Sequence, residues 1–323
     1  MIEPIHRTPQ QRTADRALLR EQYLSDCGRV FDRMIPAEGA PFGETFSDIE
    51  TAIERESRKL AQTLCEHRLL MDPLADPQQI FPCPRCGKRM RVLRLAEGRR
   101  LDATFGQVQM RRPYCVCDSC GFCCAPLDYA LGIPIRGPSV GRRELVCNAA
   151  TKDRSFEKAS ATLAHHSKIV LSDEGVRGLA ESEGRKLVEA RARRVEVCFH
   201  SLGRQPEPPS PPPHCLVTVA DGGRVQTRHV ENGSRWKENK IGCVYDARPQ
   251  PDPAAATAET YQGAKALTQT YVATMESWEA FGRMLFTEAC ARGYMKTPLK
   301  LFISDAAESV LSLREEHFSD AHP

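Results

Sequence analysis

No apolar run in this 323-residue chain is long enough to span a bilayer, which excludes a helical membrane-spanning protein. Residues Met1 to Arg20 are polar and charged and lack the apolar core of a secretory signal, so a cytoplasmic location is expected. No internal repeat is visible. Cysteine, by contrast, is plentiful at 14 residues. In a long chain without a signal, with several cysteines packed into CxxC pairs, reduced thiols and metal binding fit better than disulfides. The 41% hydrophobic and 27% charged content is that of a soluble globular protein, long enough for two or three modest domains.

The net charge of +3 is unevenly distributed. Between Cys83 and Arg143 there are 12 Lys plus Arg against 4 Asp plus Glu, a local net of +8 that leaves −5 for the rest. Such a stretch is the electrostatic footprint of a polyanion partner, with a solvated basic face as the plain alternative.

Five segments follow from pattern and punctuation. Residues 1–80 form an N-terminal helical region, in which Phe46, Ile49, Ile53, Leu60 and Leu64 recur at helical spacing between Thr45 and Met71. This helix packs against the rest of the chain or, as a second role, against a partner helix in a homo-oligomer; Pro73 and Pro77 end it. Residues 81–130 form a cysteine module. Residues 131–205 read as helical, and Pro206–Pro213 as a semi-rigid spacer. Residues 214–323 carry an α/β pattern, with extended runs to Ala220, over Arg224–Val230 and over Lys240–Tyr245, a Pro/Ala-rich loop over Arg248–Ala256, a helix over Ser277–Arg292 and a strand to Ser304.

In the cysteine module, Cys83-Pro-Arg-Cys86-Gly87 and Cys117-Asp-Ser-Cys120-Gly121 are two knuckles. Two thiolates spaced by two residues reach one ion from a tight turn, and the glycine that follows permits the turn. Together they predict a closed, structural four-thiolate zinc site, with Cys115, Cys123 and Cys124 near enough to compete as ligands. Thr104–Tyr114 alternates as a strand feeding the second knuckle, as in a zinc ribbon. Arg89, Arg91, Arg111 and Arg112 would then lie on a rigid surface suited to DNA phosphates.

Ser155–Leu163 and a helix capped by Ser172, with Val176, Leu179 and Ala180 inward, have the pattern of a helix-turn-helix, a pattern shared with ordinary core packing. His165 and His166 read as surface residues.

Two apolar runs, Cys215–Ala220 and Leu299–Ser304, each stop before an aspartate, Asp221 and Asp305. Two carboxylates at the ends of neighbouring strands can hold divalent cations for phosphoryl transfer. Each has a plainer reading: Asp221-Gly222-Gly223 as a hairpin turn, and Asp305 with Glu308 as a capping box. Glu238, on or near the third extended run, is a further acid within possible reach.

From Cys83 onward the chain resembles the ISKra-type insertion-sequence transposases. The resemblance is carried by Cys83–Gly87, Phe105–Val108, Arg111–Tyr114, Cys117–Gly121, Pro126–Asp128, Leu131–Gly132, Val219–Arg224, Trp236–Glu238, Lys240–Gly242, Ser304–Ala307 and His317–Phe318, over about three quarters of the chain. It implies an α+β multidomain protein with N-terminal helices, a zinc ribbon, a helix-turn-helix-like region and an incomplete RNase H-like domain. It implies that Asp221 and Asp305 match the first and second acids of a DDE site working with Mg²⁺ on DNA. Ala306 stands where a glycine is usual. The chain ends 18 residues beyond Asp305, before the family's Asp-Tyr-His strand and helical glutamate, so a truncated and inactive form is expected. The alternative is a non-catalytic DNA-binding zinc-ribbon protein; a zinc-ribbon nuclease with acids arranged differently is a third class.

Overall fold

The computed structural model describes residues 8–39, 43–77, 79–200, 211–231, 233–249, 264–305 and 307–323. Among them are eight α-helices and two sheets, a mixed α+β architecture. The chain divides into two compact units, Met1–Glu183 and Gly184–Pro323. No helix of the described residues is long and apolar enough to cross a membrane.

In the first unit, α1 (Pro9–Met34) and α2 (Phe46–Leu70) both open on capping boxes, Thr8 with Gln11 and Thr45 with Asp48. The expected amphipathic helix over Thr45–Met71 is therefore present, with both flanking residues serving as caps. It lies against a hairpin of β1 (Arg91–Ala103) and β2 (Gly106–Val116), where the backbone N–H of Gln109 donates to Glu66 Oε1 at 2.7 Å and Gln62 Nε2 donates to the Phe105 carbonyl at 3.2 Å. Strand β3 (Cys123–Cys124) completes a three-stranded antiparallel sheet, and the short α3 (Pro126–Ala130) follows.

Helices α4 (Val140–Lys152), α5 (Phe156–Thr162) and the start of α6 (Asp173–His200) bury Val146, Ala159, Leu163, Ile169 and Val176 in one small core. Ser172 caps α6 through its hydroxyl, which accepts from the Gly175 N–H at 3.1 Å. The second helix of the expected pair is not short: it runs for 28 residues. Its exposed first turns carry Asp173, Glu174 and Glu181, and Arg177 is tied to Glu174 at 2.6 Å.

In the second unit a four-stranded sheet is ordered β6-β5-β4-β7, from β4 (Cys215–Glu231), β5 (Ser234–Pro249), β6 (Ala264–Thr274) and β7 (Leu299–Ser304). The first three strands form an antiparallel meander. Helix α7 (Trp278–Ala291), capped by Ser277, then carries the chain across the sheet so that β7 pairs parallel to β4. This crossover is what α7's apolar face drives: Phe281, Leu285 and Ala289 are fully buried with Leu216, Ala220, Val244, Val272 and Phe302. Helix α8 (Glu308–His317) adds Val310 and Leu313, and Phe318 closes this core against Tyr294.

The structure departs from the sequence reading in this sheet. The extended runs expected as separate strands before and after Asp221-Gly222-Gly223 are one strand, because β5 pairs with it without interruption from Leu216↔Asp246 to Gln226↔Trp236. The turn sits instead at Gly233, whose φ is +76°. Strand β6 was not anticipated at all, and the Pro/Ala-rich loop preceding it lies outside the described residues beyond Pro249, as does most of the Pro206–Pro213 spacer.

Gly242 sits beneath α7 with no room for a side chain: a Cβ there would lie 2.7 Å from Leu285 Cδ1 and 3.0 Å from the Phe281 ring. Gly242→Ala is expected to destabilise the second unit by about 1–3 kcal/mol through overpacking, measured by urea unfolding. A neutral result would mean that α7 does not rest on β5 this closely.

Candidate functional site: a four-thiol cluster and a carboxylate pair

Each knuckle is a tight turn built from its own backbone. The Gly87 N–H donates to the Cys83 carbonyl and the Gly121 N–H to the Cys117 carbonyl, both at 2.8 Å, with the glycines at φ +74° and +70°. The hairpin β1–β2 brings the two turns together at one end of the small sheet. The Sγ atoms of Cys83, Cys86, Cys117 and Cys120 all lie within 4.8 Å of one another, with Cys83–Cys120 at 3.6 Å and Cys86–Cys117 at 3.5 Å. Four sulfurs about 2.3 Å from a tetrahedral zinc stand ~3.8 Å apart, so the thiols form a cluster able to hold a metal ion such as zinc.

The competing cysteines fall outside that set. Cys115 and Cys124 pair across β2 and β3, and burial pushes each thiol up to about 11. Cys123 is exposed and its Sγ points back to the Gly121 carbonyl.

The four arginines named as phosphate contacts have different roles. Arg112 is only 5% exposed and grips Asp128 with two nitrogens, at 2.9 and 2.7 Å, while a third donates to the Glu97 carbonyl at 2.8 Å. It is an internal strut and does not face a phosphate. Its side chain alternates inward with Val108 and Met110 on β2, a position that a count of charges along the chain does not reveal. Arg91 is exposed but bidentate to Asp118, at 3.2 and 3.0 Å. Arg89 and Arg111 are exposed, and Arg111 joins Arg100 and His67 in lining a cleft of about 660 Å³ between the hairpin and the N-terminal helices. Arg100 was missed by sequence reasoning; alternation along β1 is the signal that could have found it.

The second unit brings the two aspartates together. The β4–β7 ladder ends at Ala220↔Ser304, so Asp221 and Asp305 are the next residues on adjacent parallel strands, whose spacing is about 4.8 Å. Strand alternation assigns both positions to one face. Even-numbered Leu216, Ala220 and Phe302 point into the core beneath α7, whereas Cys215, Val217 and Leu301 form a cluster on the opposite side. Asp221 and Asp305 continue that second, odd-numbered row, among the exposed Ile241, Tyr271 and Ile303. Both carboxylates are exposed.

The plainer readings of these acids do not hold in the geometry. Asp221 lies within a continuous strand. Its glycines serve close packing: a Cβ on Gly222 would lie 3.1 Å from the Trp278 ring, and one on Gly223 would lie 2.9 Å from Asn239 Oδ1. Helix α8 begins at Glu308 with Ala307 as its N-cap and no side-chain cap bond, so Glu308 is not the far end of a capping box. Asp305 Oδ1 accepts only a long bond, 3.4 Å, from the Ala307 N–H.

Glu238 is on the wrong face to join the pair. It stands opposite Arg224 on the α7 side, where Lys240 Nζ at 2.9 Å and Trp278 Nε1 at 3.3 Å hold its carboxyl below the usual range. Phe318 is a core residue, and the half-buried His317 imidazole stacks on Phe286, with burial lowering its pKa.

No protein-family model matches the chain, and no curated protein matches it either.

Cys83→Ser or Cys120→Ser is expected to release bound metal and unfold the small sheet, whereas Cys115→Ser should retain it, by metal analysis and circular dichroism. A Cys83→Ser protein that kept its metal would refute the ligand set. Arg112→Ala should cost about 2 kcal/mol because it empties a buried position and leaves the Asp128 carboxylate with Arg99 alone, against under ~0.5 kcal/mol for Arg111→Ala, by denaturant unfolding.

Proposed function

We propose that this chain is a DNA-handling protein of the DDE transposase type, in which a zinc ribbon and neighbouring helices engage element-end DNA and an RNase H-like sheet carries Asp221 and Asp305 as its first and second acids. The observation that carries this reading is the side-by-side position of the two aspartates, one residue beyond the last rung of the only parallel ladder among the described residues. An antiparallel meander, a crossover helix and a strand returning beside the first is the arrangement an RNase H-like domain calls for.

The donor set suits a hard cation, since both groups are exposed carboxylates. Divalent ions bound there would stabilise the attacking and leaving oxygens of an in-line displacement at a phosphodiester. The residues' own part is to fix those oxygens at the edge of a rigid sheet. Two acids are fewer than such a site needs, and Glu238, held on the other face by Lys240 and Trp278, does not supply the third. This polypeptide is therefore expected to bind DNA without joining strands. The binding-module reading, in which the chain occupies DNA and does no chemistry, is favoured by the same shortfall.

Binding of a labelled duplex should fall steeply and linearly with salt on logarithmic axes, and incubation with Mg²⁺ should give no strand-transfer product. Absence of binding at any salt would overturn the proposal. Strand transfer abolished by Asp221→Asn would show instead that a third acid is supplied from within this chain.

A further inference from the structure

The β4–β5 hairpin continues well past the sheet that it helps to form. On the β4 side the partner strand β7 stops at Ser304, opposite Ala220, and on the β5 side β6 stops at Thr274, opposite Lys240. From Gly222 to Glu231 and back from Ser234 to Asn239, the two strands have only each other as ladder partners among the described residues. The result is a two-stranded ribbon about 20 Å long, set by the six residues Ser234–Asn239 of β5 at ~3.3 Å each, with β4 irregular between Gln226 and Glu231.

Its side chains are those of a polyanion-binding surface. Asp221 pairs with Ile241, Gly223 with Asn239 and Val225 with Lys237, and these pairs project to the face that carries Asp221 and Asp305. Arg235, two residues before Lys237, continues the row, and Thr227 Oγ1 donates to the Arg235 carbonyl at 3.1 Å across the ribbon. Asn239, Lys237 and Arg235 thus form a track at ~7 Å intervals leading away from the carboxylate pair. On the other face Trp236 is 56% exposed beside Gln226, with exposed Arg224 two residues before Gln226 on β4, opposite Glu238. A lone ribbon cannot bury an indole of its own, so this exposed aromatic has no packing role in the fold.

We infer that this ribbon is a DNA-binding arm, which seats in the major groove of duplex DNA and lays the adjoining backbone along Arg235, Lys237 and Asn239 toward Asp221 and Asp305. The fit is one of size and charge: a groove about 12 Å wide admits a two-stranded ribbon, and the cations on the track oppose phosphates. The inference rests on the DNA-handling reading and assigns it a surface in the second unit, distinct from the arginines of the cysteine module.

The test uses the full chain loaded with zinc and a fluorescent duplex of about two helical turns, with affinity read by anisotropy over a salt series. The double variant Arg235→Glu/Lys237→Glu is expected to bind at least ~10-fold more weakly, with the salt slope reduced by about 2, at unchanged zinc content and unfolding temperature. If charge reversal disturbs the fold, Arg235→Gln/Lys237→Gln should give a smaller loss in the same direction. Wild-type binding with unaltered affinity and slope in the folded variants would overturn the arm while leaving the DNA-handling reading intact. Failure of the wild type to bind duplex at all would overturn both.

Discussion

The parallel pairing of β7 with β4 is the constraint on which the candidate site depends. Nothing local holds Asp221 near Asp305; they are 84 positions apart in the chain. They are brought to neighbouring strand ends because α7 buries Phe281, Leu285 and Ala289 on one face of the sheet, carries the chain from β6 to the opposite edge, and sets β7 beside β4, with only a single bridge to His322 on its outer side. The six rungs from Cys215↔Leu299 to Ala220↔Ser304 then fix register, and in a strand the register decides which face each side chain takes. A slip of one residue would put one aspartate under α7 and the other in solvent.

Charge is used in two distinct ways. Within the basic segment Cys83–Arg143, Arg99 and Arg112 converge on Asp128 and Arg143 pairs with Glu183 at 3.1 Å, so these cations organise the protein's interior and edges. Arg85, Lys88, Arg89, Arg100, Arg111 and Arg136 remain exposed and carry the field that a polyanion would meet. The same division appears in the second unit, where Lys240 is buried against Glu238 and Trp278 while Arg235 stays exposed on the ribbon.

Features set by neighbouring residues were legible in the sequence. The CxxCG knuckles, the helix from Thr45 to Met71, α7 with its Ser277 cap and the strand ending at Ser304 each announce themselves within a short window. What was not legible depended on partners far along the chain. Asp221-Gly222-Gly223 has the composition of a turn, yet β5 holds it extended and the glycines make room for Trp278 and Asn239. Strand β6 lies at the sheet edge with many exposed positions, so its alternation is faint. Arg112 looks like a surface cation until Asp128, 16 residues on, is seen to enclose it.

The shared position of Asp221 and Asp305 is tested most directly by Mn²⁺ titration of the zinc-loaded chain, followed by electron paramagnetic resonance. The account predicts one weak site that Asp221→Asn and Asp305→Asn each remove, with the double substitution no worse than either alone. Manganese binding indifferent to both substitutions, or diminished independently by each, would contradict it.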